Sequence, residues 1–101
     1  MPNVLYFSDE ALLAGIRNED EGALAYLYKH HFPMILHLVQ NNNGTDDEAK
    51  DIYQEAVIVF YEKVREGSLE LNCQIKTYIY SVCRRLWLKR LVLKNRFAGV
   101  I

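Results

Sequence analysis

The segment between Thr45 and Gly67 carries helix signals at both ends and no helix-breaking residue between them. Thr45 and Glu48 have the spacing of a capping box, in which each side chain bonds the backbone N–H of the other residue. Gly67 marks a helix end, because glycine easily adopts the left-handed conformation found there. A helix of about 21 residues spans about 31 Å. A chain of 101 residues has to fold around an element of this length.

Shorter helices are predicted on the N-terminal side of this segment. Ser8 is an N-cap candidate followed by two acidic residues, which favours a first helix over residues 8–17. Asn18, with Glu21 three residues later, predicts the start of a second helix that runs to the sequence NNNGT. Pro33 lies inside that second helix and therefore predicts a kink or a break.

A last helix is predicted from Asn72, a further N-cap candidate, to about Asn95. The sequence SLELNCQ at its start lacks helical periodicity and is predicted to be a loop. No alternating strand pattern and no internal repeat occurs. We therefore expect an all-α fold, a compact bundle of about four helices, with one domain over residues 1–96 and the start of a linker at 97–101.

The composition and the polar residues favour a binding domain over an enzyme. Half of the residues are apolar, which suits a globular core. Cys73 and Cys83 are predicted to be reduced thiols of a cytoplasmic protein, because no secretory signal precedes them. The three histidines lack the paired spacing of a zinc site, and no catalytic constellation or Gly-rich phosphate loop is present. We expect no metal, no cofactor, no membrane-spanning segment and no enzymatic activity.

The charge is unevenly distributed along the chain, although the formal net charge is only −1. Residues 1–50 carry three Lys or Arg against eight Asp or Glu, whereas residues 51–101 carry nine against five. Between residues 76 and 96 there are seven basic residues and no acidic one. Such a segment either attracts polyanions or is an ordinary solvated basic face.

The helix predicted after Thr45 has two different faces at 100° per residue. The apolar inner face consists of Ala49, Ile52, Tyr53, Ala56, Phe60 and Val64. The opposite side, here named the acidic face, consists of Asp51, Gln54, Glu55, Ile58, Tyr61 and Glu62. Apolar residues ringed by carboxylates and amides indicate a protein partner with a basic rim, or else a solvated surface with two exposed apolar residues.

The last predicted helix combines cations and aromatic rings away from its core stripe. The core stripe is predicted to consist of Ile75, Ile79, Val82, Leu86 and Leu93. The far side, here named the basic face, consists of Lys76, Tyr80, Arg84, Trp87, Leu91 and Lys94. Single-stranded nucleic acid is bound by such a mixture, since cations meet phosphates and rings stack on bases. The alternative is that Tyr80 and Trp87 are covered by another helix or by a partner protein.

Three segments, in their order along the chain, resemble region 2 of bacterial sigma factors of the extracytoplasmic-function (ECF) group, a part of the sigma-70 family. DEALLAGIRNEDEGALAYLYKHHFPMI resembles the opening helices of that domain. DEAKDIYQEAVIVFYEKV is similar to the helix with a D-x-x-Q-E-x-F-like pattern, and Asp51, Gln54 and Glu55 match it. IKTYIYSVCRRLWLKRLVLKNR resembles the next helix, so that the resemblance covers about residues 8–96.

In that family, region 2 docks on the clamp coiled coil of the largest catalytic-core subunit of RNA polymerase. It also opens the promoter −10 element and captures bases of the non-template single strand. The resemblance therefore implies a polymerase-binding group of Asp51, Gln54, Glu55, Ile58 and Tyr61. It implies a DNA-binding group of Ser68, Leu69, Glu70, Leu71 and Asn72 in the loop, which would hold an extruded base, and Lys76, Tyr80, Arg84, Arg85, Trp87 and Lys94 in the helix. An anti-sigma factor is a further implied partner.

The chain departs from the family in two respects. Tyr78, Arg85 and Lys89 stand where the family often has Trp, Asn and Asp, and the last two changes add positive charge to the DNA-facing helix. The second helical domain of the family, region 4, which reads the −35 element, is absent. We therefore favour a fragment of a longer factor over a one-domain relative.

Two other functions are consistent with the same residue patterns. A helical adaptor would bind proteins through both faces and would not touch DNA. An amphipathic segment lying on a membrane surface would explain a helix that contains Trp and lysines. Binding to oligonucleotides and to anionic vesicles distinguishes these two functions from that of a sigma factor.

Overall fold

The computed structural model describes the backbone of residues 7–98 and the side chains of residues 7–95. The helices of this part are α1 (Asp9–Arg17), α2 (Glu21–His30), α3 (Phe32–Gln40), α4 (Asp46–Glu66) and α5 (Ile75–Ala98). Residues 7–98 contain no strand, so the predicted all-α class is confirmed. α5 continues past its predicted end at Asn95, and residues 99–101 of the predicted linker lie outside the described residues.

α4 begins and ends where the sequence predicts. Thr45 Oγ1 accepts a hydrogen bond from the Glu48 N–H at 3.1 Å, and Glu48 Oε1 accepts one from the Thr45 N–H at 3.1 Å. Gly67, at the other end, has a φ of 73°, the left-handed conformation that favours glycine. α1 also begins as predicted, since Ser8 Oγ accepts a hydrogen bond from the Ala11 N–H at 3.1 Å. These caps satisfy backbone groups that a helix end leaves without an internal partner.

The segment predicted as one second helix is two helices. Its predicted start at Asn18 is wrong, because Asn18 ends α1 and Asp20 caps α2. The Asp20 carboxylate accepts a hydrogen bond from the Gly22 N–H at 2.8 Å. Pro33 lies in the first turn of α3, where its missing N–H costs no helical hydrogen bond. The helix therefore breaks at His31. Because of this break, the described residues form five helices, whereas about four are predicted.

The centre of the core is α4, which packs against the other four helices. Every residue of its predicted inner face is buried, and Val57 is buried as well. The Tyr53 hydroxyl donates a hydrogen bond to the Leu27 carbonyl of α2, which satisfies the polar end of a buried ring. Burial raises the pKa of the Tyr53 hydroxyl, so this group remains a donor at neutral pH.

The buried side of α5 differs from the prediction in the second half of the helix. The first three residues of the predicted core stripe are buried, namely Ile75, Ile79 and Val82. Leu86 packs at the edge of the core, whereas Leu93 is 44% exposed, so the assignment of Leu93 to the core is wrong. Cys83 and Trp87 are buried instead. The reason is that α5 packs against α3 as well as α4, so its buried surface is wider than one helical stripe.

Candidate functional site

The acidic face of α4 is exposed along most of its length. Its exposed polar residues are Asp51, Gln54, Glu55 and Glu62. Ile58 lies among them with 45% of its surface accessible. Tyr61 is half-buried, and the guanidinium carbon of Arg65 lies 5.9 Å from the centre of its ring. The structure thus brings the predicted residues onto one surface, where carboxylates surround an accessible isoleucine.

An aromatic pocket adjoins the acidic face and is not predicted from the sequence. It has a volume of about 270 Å³ and is lined by Tyr28, Phe32, Lys50, Tyr53 and Gln54. The ring centres of Tyr28 and Phe32 lie 6.3 Å and 5.4 Å from that of Tyr53, in edge-to-face arrangements. Gln54 belongs to both surfaces. The pocket could not be inferred from periodicity, because its rings come from three different helices.

The basic face of α5 is exposed at successive helical turns. Lys76, Tyr80 and Arg84 are spaced by four residues, and all three are exposed. Arg85 lies next to them and is exposed as well. Because 38% of the Tyr80 surface is accessible, part of its ring is available for stacking. This arrangement can bind a phosphate backbone and an unstacked base at the same time.

Trp87 does not belong to the basic face. Only 1% of its surface is accessible. The backbone of Gly44, in the connection between α3 and α4, lies so close to the ring that a Cβ there would come within 2.6 Å of Trp87 Cη2. The prediction that Trp87 lies on an outward face is therefore wrong, and the alternative, a ring covered within the protein, is correct. A buried ring cannot stack on a base.

Lys94 connects Trp87 to the start of α4. Its ammonium nitrogen lies 5.1 Å from the centre of the Trp87 ring and forms a salt bridge with Glu48. Lys94 in the first place, and Thr45 in the second, lower the pKa of the Glu48 carboxyl. Lys94 thus stabilises a contact between α4 and α5. Its predicted role in DNA binding stays a prediction, and in this structure the ammonium group is already paired with Glu48.

The loop between α4 and α5, residues 67–74, is exposed in part. Ser68, Glu70 and Asn72 are exposed, while Leu69 and Leu71 are half-buried and pack against the core. The two leucines line a cavity of about 230 Å³ whose other lining residues are Leu13, Arg17, Lys63, Val64 and Gly67. The predicted helix start at Asn72 is too early, since α5 begins at Ile75. Of the five loop residues predicted to bind DNA, a ligand can therefore reach the three polar ones most easily.

The cysteines of the described part are both free thiols in different surroundings. Cys73 is exposed in the loop, and Cys83 is buried in α5. Burial raises the pKa of the Cys83 thiol to about 12, so this group is protonated and unreactive at neutral pH. Within residues 7–98, no group of three or more His, Cys, Asp or Glu is arranged to hold a metal ion. None of the helices described here has the length and apolar character needed to cross a membrane.

An acidic face on one long helix and a basic face on the next define a small helical domain of the macromolecule-binding class. A comparison with protein families matches residues 27–97 to Sigma-70 region 2. The chain belongs to this family, and the resemblance seen in the sequence is confirmed at the level of region 2. The ECF subgroup stays a prediction. Comparisons with curated proteins and with solved structures gave no significant match.

The family indicates a general role for the domain as a whole. Sigma factors are non-enzymatic transcription initiation factors, and region 2 acts in RNA polymerase binding and promoter recognition. The matched residues include α3, α4 and nearly all of α5, and therefore both faces and the loop between them. α1 precedes the matched residues.

Proposed function

We propose that this domain binds core RNA polymerase through the acidic face of α4 and recognises and melts the promoter −10 element through α5 and the loop 67–74. One observation carries the proposal. In a chain that belongs to the Sigma-70 region 2 family, the two longest helices present exposed faces of opposite charge. Opposite charges suit two different partners, a protein with a basic rim and a nucleic acid. The domain would act in the cytoplasm, where both partners are found.

On the polymerase side, the proposed partner is the clamp coiled coil of the largest subunit. Asp51, Gln54 and Glu55 are exposed within about one turn of α4, so the three side chains can contact one partner helix together. Ile58, one turn farther along, adds an accessible apolar group to the same surface. An apolar centre within a polar rim is the usual composition of a protein interface.

The double substitution Asp51→Ala/Gln54→Ala is expected to weaken binding to a purified clamp coiled-coil fragment by at least tenfold, about 1.4 kcal/mol. Both side chains are exposed, so their removal should leave the fold intact. The measurement is a binding titration at low and moderate salt. Glu66→Ala is a matched control, because it also removes one exposed carboxylate from α4 but lies about 18 Å from Gln54. Equal weakening by the control, or no binding of the wild-type domain, would contradict the polymerase assignment.

On the DNA side, the burial of Trp87 leaves Tyr80 as the accessible ring beside the cations of the basic face. Extruding a base from a duplex costs a few kcal/mol, and stacking on one aromatic ring returns about 1–3 kcal/mol. One ring is therefore insufficient to open a duplex unaided. The isolated domain should bind single-stranded −10 DNA weakly, and promoter opening should need the polymerase.

Binding to a single-stranded −10 oligonucleotide is expected to weaken steeply with salt. Each cation that neutralises a phosphate contributes about −0.7 to the slope of log K against log salt concentration for a single strand. Arg84→Gln/Arg85→Gln removes two exposed cations and should make the slope less negative by about 1.4. Fluorescence anisotropy of a labelled oligonucleotide over a salt series measures the slope.

Tyr80→Leu provides the contrasting variant in the same titration. It should lower the affinity by roughly 1–3 kcal/mol while leaving the salt slope unchanged, because stacking releases no counterions. Lys29→Gln on α2 removes one exposed cation outside the basic face and should change neither quantity. A slope that is unchanged in the arginine variant would contradict phosphate binding by this face.

A protein partner on α5 is the second candidate function, and one observation favours it. Leu88 and Val92 expose 42% and 53% of their surfaces on the second half of α5, where no base-binding role is proposed for them. Exposed apolar residues beside cations suit a partner protein with an acidic surface. Such a partner would be an anti-sigma factor, or the protein bound by a helical adaptor. The absence of any oligonucleotide binding, with protein binding retained, would favour the adaptor function.

A further inference from the structure

The N-terminus of α5 is held by a residue from the other end of the chain. Asp9 Oδ2 accepts a hydrogen bond from the Ile75 N–H at 2.9 Å, although the two residues are separated by 66 positions. The first N–H groups of a helix have no partner inside the helix, and a carboxylate there also interacts favourably with the helix dipole. The first turn of α5 has no acidic residue of its own and carries Lys76 instead. Asp9 therefore supplies the negative charge that the local sequence of α5 lacks.

The contact lies partly inside the protein. Ile75 is 0% exposed, and the hydrogen bond itself is partly buried. Asp9 lines a cavity of about 160 Å³ together with Phe7, Leu12, Tyr26, His31, Gln74 and Lys76. Water competes less for a hydrogen bond in such surroundings, so its loss has a larger effect than at an open surface. Lys76 is also the first cation of the basic face, so the contact adjoins the surface proposed to bind DNA.

The opposite end of the loop 67–74 is held by α4. The Ser68 N–H donates to the Lys63 carbonyl at 3.1 Å, directly after the left-handed Gly67. Leu69 and Leu71 pack against the core between the two ends. The contact of Asp9 with Ile75 thus attaches the other end of the loop, where α5 starts, to the first turn of α1.

We propose that Asp9 is a positioning residue for promoter binding, a role that rests on the function proposed above. Its carboxylate holds the first turn of α5, and with it the loop 67–74, in the geometry that presents Lys76 and Tyr80 to the DNA strand. A loop that is ordered before binding loses less conformational entropy when the strand binds. Because α1 precedes the residues matched to the family, the positioning group comes from outside the matched segment.

The first test measures the positioning contact without DNA. In Asp9→Ala, hydrogen exchange of the Ile75 amide and of the loop amides should be at least tenfold faster than in the wild-type domain. Asp9→Asn keeps an oxygen that can accept the hydrogen bond and should restore most of the protection. Glu10→Ala is the matched control, since it removes an exposed carboxylate from the same first turn of α1. Unchanged exchange at Ile75 in Asp9→Ala, or equal acceleration in Glu10→Ala, would overturn the proposal.

The second test measures the consequence for DNA binding under conditions in which circular dichroism shows all variants to be folded. Asp9→Ala should weaken binding of the single-stranded −10 oligonucleotide by three- to tenfold with an unchanged salt slope, and Asp9→Asn should recover at least half of the loss. If Asp9→Ala is too unstable, Asp9→Asn is compared with Glu10→Ala in both tests. The amide keeps the acceptor oxygen but loses the negative charge, so exchange at Ile75 in Asp9→Asn should be about two- to threefold faster than in Glu10→Ala. Equal exchange in the two variants would overturn the contact. Equal affinities of Asp9→Ala and the wild-type domain would overturn the positioning role. No binding by the wild-type domain would overturn the proposed DNA function, whereas the exchange measurement would still decide whether Asp9 holds α5.

Discussion

Trp87→Ala is expected to lower the free energy of unfolding by about 3–5 kcal/mol, because it leaves a large cavity in the core. The ring is 1% exposed and packs under the backbone of Gly44. The substitution also removes the contact with the Lys94 ammonium, which lies 5.1 Å from the ring centre. A cation–π contact of this kind contributes about 0.5–1 kcal/mol at a partly exposed site. Domains of this size are stable by about 5–15 kcal/mol, so the substitution should remove a large part of the total stability.

The measurement for Trp87→Ala is urea unfolding followed by far-ultraviolet circular dichroism, since the chain has a single tryptophan and the variant has none. Trp87→Phe keeps most of the volume and should lose less stability, which gives a second value if the alanine variant does not fold. Tyr80→Ala is the matched control, because it removes an exposed aromatic ring from the same helix and should change stability by about 0.5 kcal/mol or less. A loss below about 1 kcal/mol for Trp87→Ala would mean that the ring is not part of the core.

Gly44→Ala is expected to destabilise the domain by about 1–3 kcal/mol or more, through overpacking rather than through a cavity. A Cβ at this position would lie 2.2 Å from Val39 Cγ1 and 2.6 Å from Trp87 Cη2. Neither neighbour can move easily, since Val39 is 0% exposed and the Trp87 ring is buried. The close approach of this backbone to the ring is what allows the connection between α3 and α4 to cover Trp87. Thermal and urea unfolding of the variant measure the effect.

Two further variants separate the causes of this instability. Gly67→Ala places a Cβ where no atom lies within 4 Å, so its cost comes from the φ of 73° alone and should be about 1 kcal/mol. In a Trp87→Phe background, Gly44→Ala should cost less than in the wild-type domain, because the smaller ring leaves room for the methyl group. Additive effects of the two substitutions would contradict direct packing of Gly44 on Trp87.

Elements whose ends are set by neighbouring residues could be predicted from the sequence. The limits of α4 follow from the Thr45–Glu48 capping box and from Gly67, each of which acts within one helical turn. The exposed polar residues of the acidic face follow from the helical period, because α4 buries a single, strongly apolar side. The break at Pro33 was foreseen as an alternative to a kink. The structure has the break, at His31 between α2 and α3, with Pro33 in the first turn of α3.

The helical period was insufficient for α5. A period of 3.6 residues locates one stripe, but α5 packs against α3 as well as α4, so a second side of the helix is buried. Trp87 lies on that second side and was placed outward, while Leu93 lies on the predicted stripe but is 44% exposed. Leu93 stands next to Lys94, which pairs with Glu48 in the first turn of α4. This part of α5 therefore lies beside the N-terminal end of α4, where fewer residues of α4 remain to bury it.

Four features of the protein could be predicted from short stretches of sequence: the all-α class, the length of α4, the charge of its outer face and the cluster of cations on α5. All of these depend on caps and on residues within a few positions of one another. Three contacts are visible in the folded protein alone. The connection at Gly44 covers Trp87, three helices form an aromatic pocket beside Gln54, and Asp9 caps α5. These contacts join residues far apart in the chain. Whether they form is determined by the packing of whole helices, which no local pattern of residues encodes.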